Sequence, residues 1–283
     1  MTTLTTHEAP SRRGLKALPR GIKIAIAAVI LVSAIFQARK GILELAPGFG
    51  ADLEVAAMSQ RAAEASGQLL AQFKDVRRNG NAPRQTDAKV GPLLSAVFGA
   101  DTLKSKTNLA TRDLEALGGW STAATQAGMF YLFAGTGVAD PAKAPDDPKL
   151  AQQFNRNVAA YAPEVGRYLD AVLTINGKMA ELVVNNSDSI DEEAKSKELK
   201  AQVQFRAASV IYGAIQVFNI KLVADDWRRD RLPALSYAIP RAAKLVSADQ
   251  CRELRDLARS TAAAMRDPAV KRGLEGVSAA LKC

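Results

Sequence analysis

Apolar residues recur along most of this chain at intervals of three and four positions, the spacing that gathers side chains on one face of an α-helix. Beyond residue 45 these periodic stretches are separated by short runs rich in glycine, proline, asparagine and aspartate, which typically end helices. No segment shows the period-2 alternation of a β-strand, and no fixed-period repeat is visible. The sequence therefore predicts an all-α protein whose bulk is an irregular multi-helix bundle.

The predicted helices cover most of the chain beyond residue 50. They run over about residues 51–78, 87–98, 102–109, 111–133, 149–161, 163–185 and 190–226. Ser189 and Glu192 form a capping box, in which both side chains bond free amides at a helix start, so we expect the helix of residues 190–226 to be well defined and central. Pro233 and Pro240 are expected to confine any following helix to short pieces.

A stretch rich in proline and aspartate at residues 138–148 is the clearest linker of the chain. It separates a first helical part, residues 45–137, from a second part, residues 149–283, and we expect the two parts to pack together as one domain. Residues 127–139 raise the alternative of a second membrane span, but the run is short and contains glycines. A core helix is therefore the better interpretation.

One apolar segment differs from the others because it has no polar face. Residues 24–36 (IAIAAVILVSAIF) contain Ser33 as their one polar side chain. With its neighbours this run gives a marginal membrane span over residues 21–41, preceded by a disordered basic tail at residues 1–20. Five basic residues precede the run and two follow it, so the positive-inside rule keeps the tail in the cytoplasm and sends the helical domain across the membrane.

We interpret this segment as an uncleaved signal-anchor, which makes the protein a single-pass protein of the inner membrane with a periplasmic domain. A cleaved signal peptide, which would release the domain as a secreted protein, is the main alternative. Arg12 and Arg13 resemble a twin-arginine export signal, but Lys16 departs from that pattern, and a plain basic tail is the simpler interpretation. A buried helix of a cytosolic protein fits least well, because basic residues flank the segment on both sides.

The two cysteines of the chain, Cys251 and Cys283, lie at the ends of its last segment. Asp267-Pro268 sits midway between them and is typical of a helix start. An antiparallel helical hairpin with this turn would return Cys283 to the level of Cys251, and small residues such as Gly273 would let its helices approach closely. In an exported protein this arrangement predicts a disulfide, whereas two unrelated thiols would be expected in the cytosol.

The net charge of +9 does not predict a nucleic-acid-binding protein, because of where the charge lies. Residues 1–44 carry +5, which leaves +4 for the remainder of the chain. One short basic stretch with an aromatic residue suits bidentate contacts with an anionic ligand or a partner's carboxylate. This candidate site consists of Trp227, Arg228, Arg229 and Arg231. The alternative is a charged helix end, whose arginines pair with neighbouring aspartates.

Few groups in the exported part are suited to catalysis. The single histidine, His7, lies in the N-terminal tail, which excludes imidazole bases and histidine-containing metal sites from the domain. A disulfide would also remove the thiols, and no glycine-rich phosphate loop joins a strand to a helix. Carboxylates remain, but the acidic run at residues 191–193 is better explained as a helix start. We predict no catalytic residue, metal site or cofactor.

These features predict a membrane-anchored periplasmic protein that acts without catalysis, as an interaction or scaffold component of a bacterial cell-envelope assembly. Its expected partners are membrane lipid, through residues 21–41, and other envelope proteins, and not nucleic acid. Two alternatives remain: a periplasmic small-molecule-binding or sensory module, and a carboxylate-dependent envelope enzyme.

Overall fold

The computed structural model describes residues 52–138, 147–186 and 194–283. Within these ranges the chain forms ten α-helices, two short 3-10 helices and no strand, so the predicted all-α class is confirmed. The 3-10 helices are Asp101–Ser105 and Thr111–Asp113. The α-helices, numbered in chain order, are α1 (Leu53–Gln72), α2 (Val76–Asn79), α3 (Gly91–Phe98), α4 (Leu114–Leu132), α5 (Pro148–Ala160), α6 (Ala162–Asn185), α7 (Ala194–Phe218), α8 (Asp225–Ala242), α9 (Ala248–Ala264) and α10 (Pro268–Ala280).

Three sequence predictions fall outside the described residues: the basic tail, the membrane span at residues 21–41 and the capping box at Ser189. Among the helices in the described ranges, none combines the length and the apolar character needed to cross a membrane. Residues 127–134 are buried in the helical core, as the interpretation of this run as a core helix expects.

Helices α1 and α4 run parallel to each other. The Ser66 hydroxyl donates a hydrogen bond of 3.1 Å to the carbonyl of Ala123. Seven residues further along in each segment, or about two helical turns, the rings of Phe73 and Phe130 pack edge to face. Because the residue numbers of the contacts rise together on both helices, α1 and α4 must point the same way.

Helix α6 packs antiparallel to α4. The Asn176 amide donates to the Ser121 hydroxyl at 3.0 Å, whereas near the other end of the pair Gly128 faces the ring of Tyr168. A Cβ atom at Gly128 would lie 2.3 Å from that ring, so the absence of a side chain is what permits the close approach. This contact fixes the spacing of the two helices.

Helix α8 lies on another side of α6 and runs parallel to it. The Trp227 indole donates to the carbonyl of Ala162 at 2.6 Å, and the Arg241 guanidinium donates to the Glu181 carboxylate at 2.6 Å. Helix α7, which connects α6 to α8, packs against both and against α9. The central helix is therefore α6. The sequence pattern predicts this position for the helix that begins near residue 190, and that prediction is wrong.

Three predicted helices end earlier than expected. The helix predicted over residues 102–109 is a 3-10 helix that ends at Ser105. The helix predicted over residues 51–78 ends at Gln72 and resumes after a short turn as α2. The helix predicted over residues 190–226 ends at Phe218, and α8 begins only at Asp225. At the break between α7 and α8 the carbonyl of Phe218, the last residue of α7, is bonded by a side chain of α8, Arg228, rather than by a further helical amide.

The expectation that Pro233 and Pro240 limit this region to short helical pieces is wrong. Helix α8 is continuous over 18 residues with both prolines inside it. An interior proline removes a backbone hydrogen bond and costs about 3 kcal/mol. Both prolines lie on the exposed face, where the freed carbonyls are open to water, and the opposite face buries Leu235 and Ile239 completely. That burial keeps the helix intact.

The C-terminal hairpin is confirmed. Asp267 caps α10 by accepting hydrogen bonds from the amides of Ala269 and Val270. Cys251 and Cys283 form a disulfide with a Cα separation of 5.6 Å, in the range such bonds prefer. Leu254 of α9 and Leu274 of α10 are buried.

The role expected for Gly273 within this hairpin is wrong. Its missing side chain does not bring α9 and α10 together, because a Cβ atom there would meet the side chain of Leu232 on α8, at 2.5 Å. The glycine therefore allows α10 to approach α8, and the hairpin joins the bundle through this contact.

We expect Cys251→Ser to lower the free energy of unfolding by about 3 to 4 kcal/mol, because the 32-residue loop closed by the disulfide would regain its chain entropy when unfolded. Urea unfolding with and without reductant measures the loss. Cys283→Ser should have the same effect, and the double variant should lose no more than either single one. A double variant that is much less stable would contradict the assignment.

We expect Gly128→Ala to destabilise the protein by about 1 to 3 kcal/mol, because the added methyl group overlaps the Tyr168 ring. Gly67→Ala is the matched control: Gly67 is an interior residue of α1 with no other atom within 4 Å of an added Cβ. This control should stabilise the protein by up to about 1 kcal/mol through helix propensity. Thermal unfolding of both variants measures the difference, and equal effects would contradict the packing described.

Candidate functional site

The four residues of the predicted anionic-ligand site lie in the first two turns of α8. They are Trp227, Arg228, Arg229 and Arg231. In the structure each has contacts within the chain, and these contacts lead to three different neighbouring helices.

Arg228 joins the end of α7 to the start of α8. Its side chain is buried, its Nε donates to the carbonyl of Phe218 at 3.0 Å, and its Nη2 donates to the carbonyl of Ile220 at 2.8 Å. Its Nη1 pairs with the carboxylate of Asp225. The guanidinium thus satisfies the Phe218 carbonyl, which lies at the end of α7, and its remaining donors contact Ile220 and Asp225.

Trp227 and Arg231 lie together against α6. The guanidinium carbon of Arg231 lies 5.6 Å from the centre of the Trp227 ring, close enough for a cation–π contact. Arg231 also approaches the carboxylate of Asp170, with 3.0 Å between Nε and Oδ1. Gly166 makes room for this cluster, since a Cβ atom there would overlap the Arg231 guanidinium.

Arg229 points to a third helix. Its Nη1 donates to the Asp267 carboxylate at 2.8 Å, which ties α8 to the start of α10. The structure therefore brings Trp227 and Arg231 together but separates them from Arg228 and Arg229. Binding of an anionic ligand by this stretch stays a prediction, and the observed contacts show what such a ligand would have to displace.

Asp170 is a residue that sequence reasoning missed. Burial raises the pKa of its carboxyl to about 7, because desolvation outweighs the opposing effect of the Arg231 charge. A carboxyl group with this pKa can both donate and accept a proton near neutral pH. The available sequence signal was weak: a single aspartate between Leu169 and Ala171 in an otherwise apolar run.

Glu164, near the start of α6, is a more deeply buried carboxylate than Asp170. It is only 1% exposed, and its Oε1 accepts a hydrogen bond of 2.8 Å from the backbone amide of Gln85. Its Oε2 lies 3.7 Å from Arg84, whose guanidinium stacks over the ring of Tyr161 at 4.5 Å. These contacts hold the loop before α3 against the α5–α6 junction, which is a structural role.

Glu164 and Asp170 do not form a catalytic pair. They are six positions apart on α6, which places them on different faces of the helix, and each contacts a different set of partners. In the part of the chain that the structure describes, no group of three or more histidine, cysteine or acidic side chains is arranged to hold a metal ion.

Comparison of the chain with known protein families, with curated proteins and with solved structures finds no match. The functional argument therefore rests on the residues themselves.

We expect Asp170 to make stability fall as pH rises from about 4 to 7. Because its pKa is raised in the folded state, the folded protein binds this proton more tightly than the unfolded chain, and the advantage is lost as pH passes through 7. In Asp170→Asn the free energy of unfolding should fall less steeply as pH rises, and its slope should be smaller by up to about 1.4 kcal/mol per pH unit. Urea unfolding between pH 4 and 8 measures it.

Asp256→Asn is the control for this prediction. The side chain of Asp256 is 69% exposed and makes only a distant contact of 3.8 Å with Arg255. This variant should keep the pH profile of the unsubstituted protein. If Asp170→Asn has the same dependence of stability on pH as the unsubstituted protein, Asp170 is not the source of the predicted fall.

Proposed function

We propose that this chain is an exported protein, anchored in the inner membrane by its N-terminal segment, which acts without catalysis as an interaction or scaffold component of a cell-envelope assembly. The observation that carries the proposal is the disulfide between Cys251 and Cys283. Disulfides persist in oxidising compartments such as the periplasm, whereas cytosolic thiols are kept reduced. The bond therefore supports a location beyond the inner membrane.

The predicted span at residues 21–41 agrees with this location. Ten residues separate it from the first described residue, Asp52, and a fully extended chain of that length reaches at most about 35 Å. Asp52 itself is fastened to the domain: its carboxylate lies 3.2 Å from Lys106, and its amide donates to Asp113 at 2.7 Å. If the leader remains uncleaved, the domain is held close to the membrane surface.

The use of buried charges supports a role without catalysis. Lys178 donates to the carbonyl of Lys106 at 2.7 Å and pairs with Glu181 at 2.9 Å, although it is only 3% exposed. Arg228 bonds the end of α7, and Glu164 holds a loop. Each of these groups joins two elements of the fold and is neutralised by the chain, which suits a rigid framework.

Fusion of two reporters to the C-terminus tests the topology. Alkaline phosphatase, which folds only where disulfides form, should be active, and a green fluorescent protein exported through the general pathway should be dark. Leu31→Arg should reduce both membrane association and phosphatase activity, because a charge in a membrane span costs about 2.5 to 3.5 kcal/mol. Ala9→Arg adds the same charge to the tail and should change neither. A reporter active only in the cytoplasm would refute the proposal.

Purification from mildly solubilised membranes tests the interaction role. The tagged chain should retain the same envelope proteins in repeated preparations, with both sulfurs unreactive toward thiol reagents until reductant is added. A chain that elutes as a solitary monomer after cross-linking in intact cells would contradict the scaffold role while leaving the topology intact.

A small-molecule-binding module is the second candidate. The buried guanidinium of Arg206 favours it, since no carboxylate contacts this group among the side chains described in residues 52–138, 147–186 and 200–283. A carboxylate-dependent enzyme stays a third alternative. The neutral-range pKa of Asp170 is in its favour, and the separation of Asp170 from Glu164 is against it.

A further inference from the structure

Arg206, in the middle of α7, is a buried cation with almost no partners. Its side chain is 3% exposed, and its one hydrogen bond runs from Nη1 to the carbonyl of Gly118 at 3.5 Å, the long limit for such a bond. Its Nε is buried without any acceptor. A guanidinium carries five N–H donors, so most of its bonding capacity is unused by the described residues.

The other buried charged side chains of the described residues have short hydrogen bonds to groups of the chain. Asp113 accepts two backbone amide bonds of 2.7 Å, those from Asp52 and Ala110. Glu164, Lys178 and Arg228 each have bonds of 3.0 Å or less to groups of the chain. Arg206 is the exception in this set, because it has no hydrogen bond of that length to compensate for its burial.

The energetic cost of this exception is large. Taking an ion out of water without giving it a partner is strongly unfavourable. Burial lowers the pKa of Arg206 to about 10, so the group still carries its charge at neutral pH. A counter-anion would remove the penalty and would gain strong, charge-assisted hydrogen bonds.

We propose that Arg206 binds the carboxylate of a small organic acid between α7 and α4. The planar fork of arginine matches the two oxygens of a carboxylate. The surroundings are apolar and small: Val203, Ala207 and Val210 are its buried neighbours along α7, and Gly118 has no side chain. Such surroundings favour a compact acid with a short apolar tail over a strongly hydrated phosphate.

One face of α7 at this level is open to solvent, since Phe205, the residue before Arg206, is 40% exposed. The inference concerns the interior of the helical domain and does not depend on membrane anchoring. Its failure would leave the topology and scaffold tests unaffected.

Thermal unfolding of the full chain in mild detergent, with the disulfide intact, tests the proposal with sodium propionate as the probe. Sodium chloride at equal ionic strength is the reference. Sodium phosphate tests whether the site prefers a carboxylate to a phosphate. Above its dissociation constant, propionate should raise Tm by roughly 3 to 5 °C for each tenfold increase in concentration, more than either salt.

Two variants assign the effect to Arg206. Arg206→Met removes the charge at similar volume and should abolish the propionate-specific rise. Arg61→Met is the matched control: it removes an exposed arginine of α1 and should leave the rise unchanged. If Arg206→Met does not fold, Arg206→Lys keeps the charge without the fork and should weaken the apparent affinity at least tenfold.

NMR of the unsubstituted protein gives a measurement that does not depend on variant stability. One arginine Nε–H resonance, protected from solvent exchange, should shift as propionate is added. Absence of both the Tm rise and this shift would overturn the proposal. A propionate-specific rise of equal size in the Arg206 variants would overturn it as well, because the anion would then bind elsewhere.

Discussion

The packing of α6 against α4 on one side and α8 on another is the constraint on which the rest of the structure depends. Close approach is possible because Gly128 of α4 presents no side chain to Tyr168, and because Gly177 of α6 faces the backbone of Ala238. A methyl group at either glycine would force the helices apart. Helices α1, α5 and α7 then pack on the layers so formed, and the terminal hairpin packs on α7 and α8.

Polar contacts determine how these packed helices are aligned along their lengths. Arg241 and Glu181 join the later halves of α8 and α6, and the Trp227 indole joins their beginnings. Apolar packing alone is tolerant of sliding along the helix axis, whereas a hydrogen bond between buried groups is directional and costly to leave unmade. These polar contacts thus select one alignment among those that the apolar faces allow.

The sequence was sufficient where the determining contacts are local. Asp267-Pro268 predicts the turn midway between Cys251 and Cys283, so the hairpin and its disulfide could be derived. It was insufficient where the partner is distant. Nothing near Arg228 indicates that it will end α7, and the continuity of α8 through its prolines depends on a face buried by other helices.

Asp170 and Arg206 could not be derived for the same reason. Each lies in a helical run whose periodicity predicts burial of the neighbouring residues, but the effect of burial on an ionic group depends on what the facing helices supply. For Asp170 the facing group is Arg231, and desolvation still dominates its pKa. For Arg206 the facing group is a carbonyl of α4.

The position of the acceptors explains why Arg228 and Arg206 differ so strongly. Arg228 reaches the carbonyl of Phe218, the last residue of α7, where the helix supplies no further amide, and the carbonyl of Ile220 in the turn that follows. Arg206 meets the carbonyl of Gly118 within α4, which already serves the helix and also accepts the Thr122 hydroxyl at 2.9 Å. The Arg206 guanidinium therefore finds only this shared backbone acceptor. A bound carboxylate would supply the acceptors that it lacks, which is why the proposed ligand explains a charge at this position.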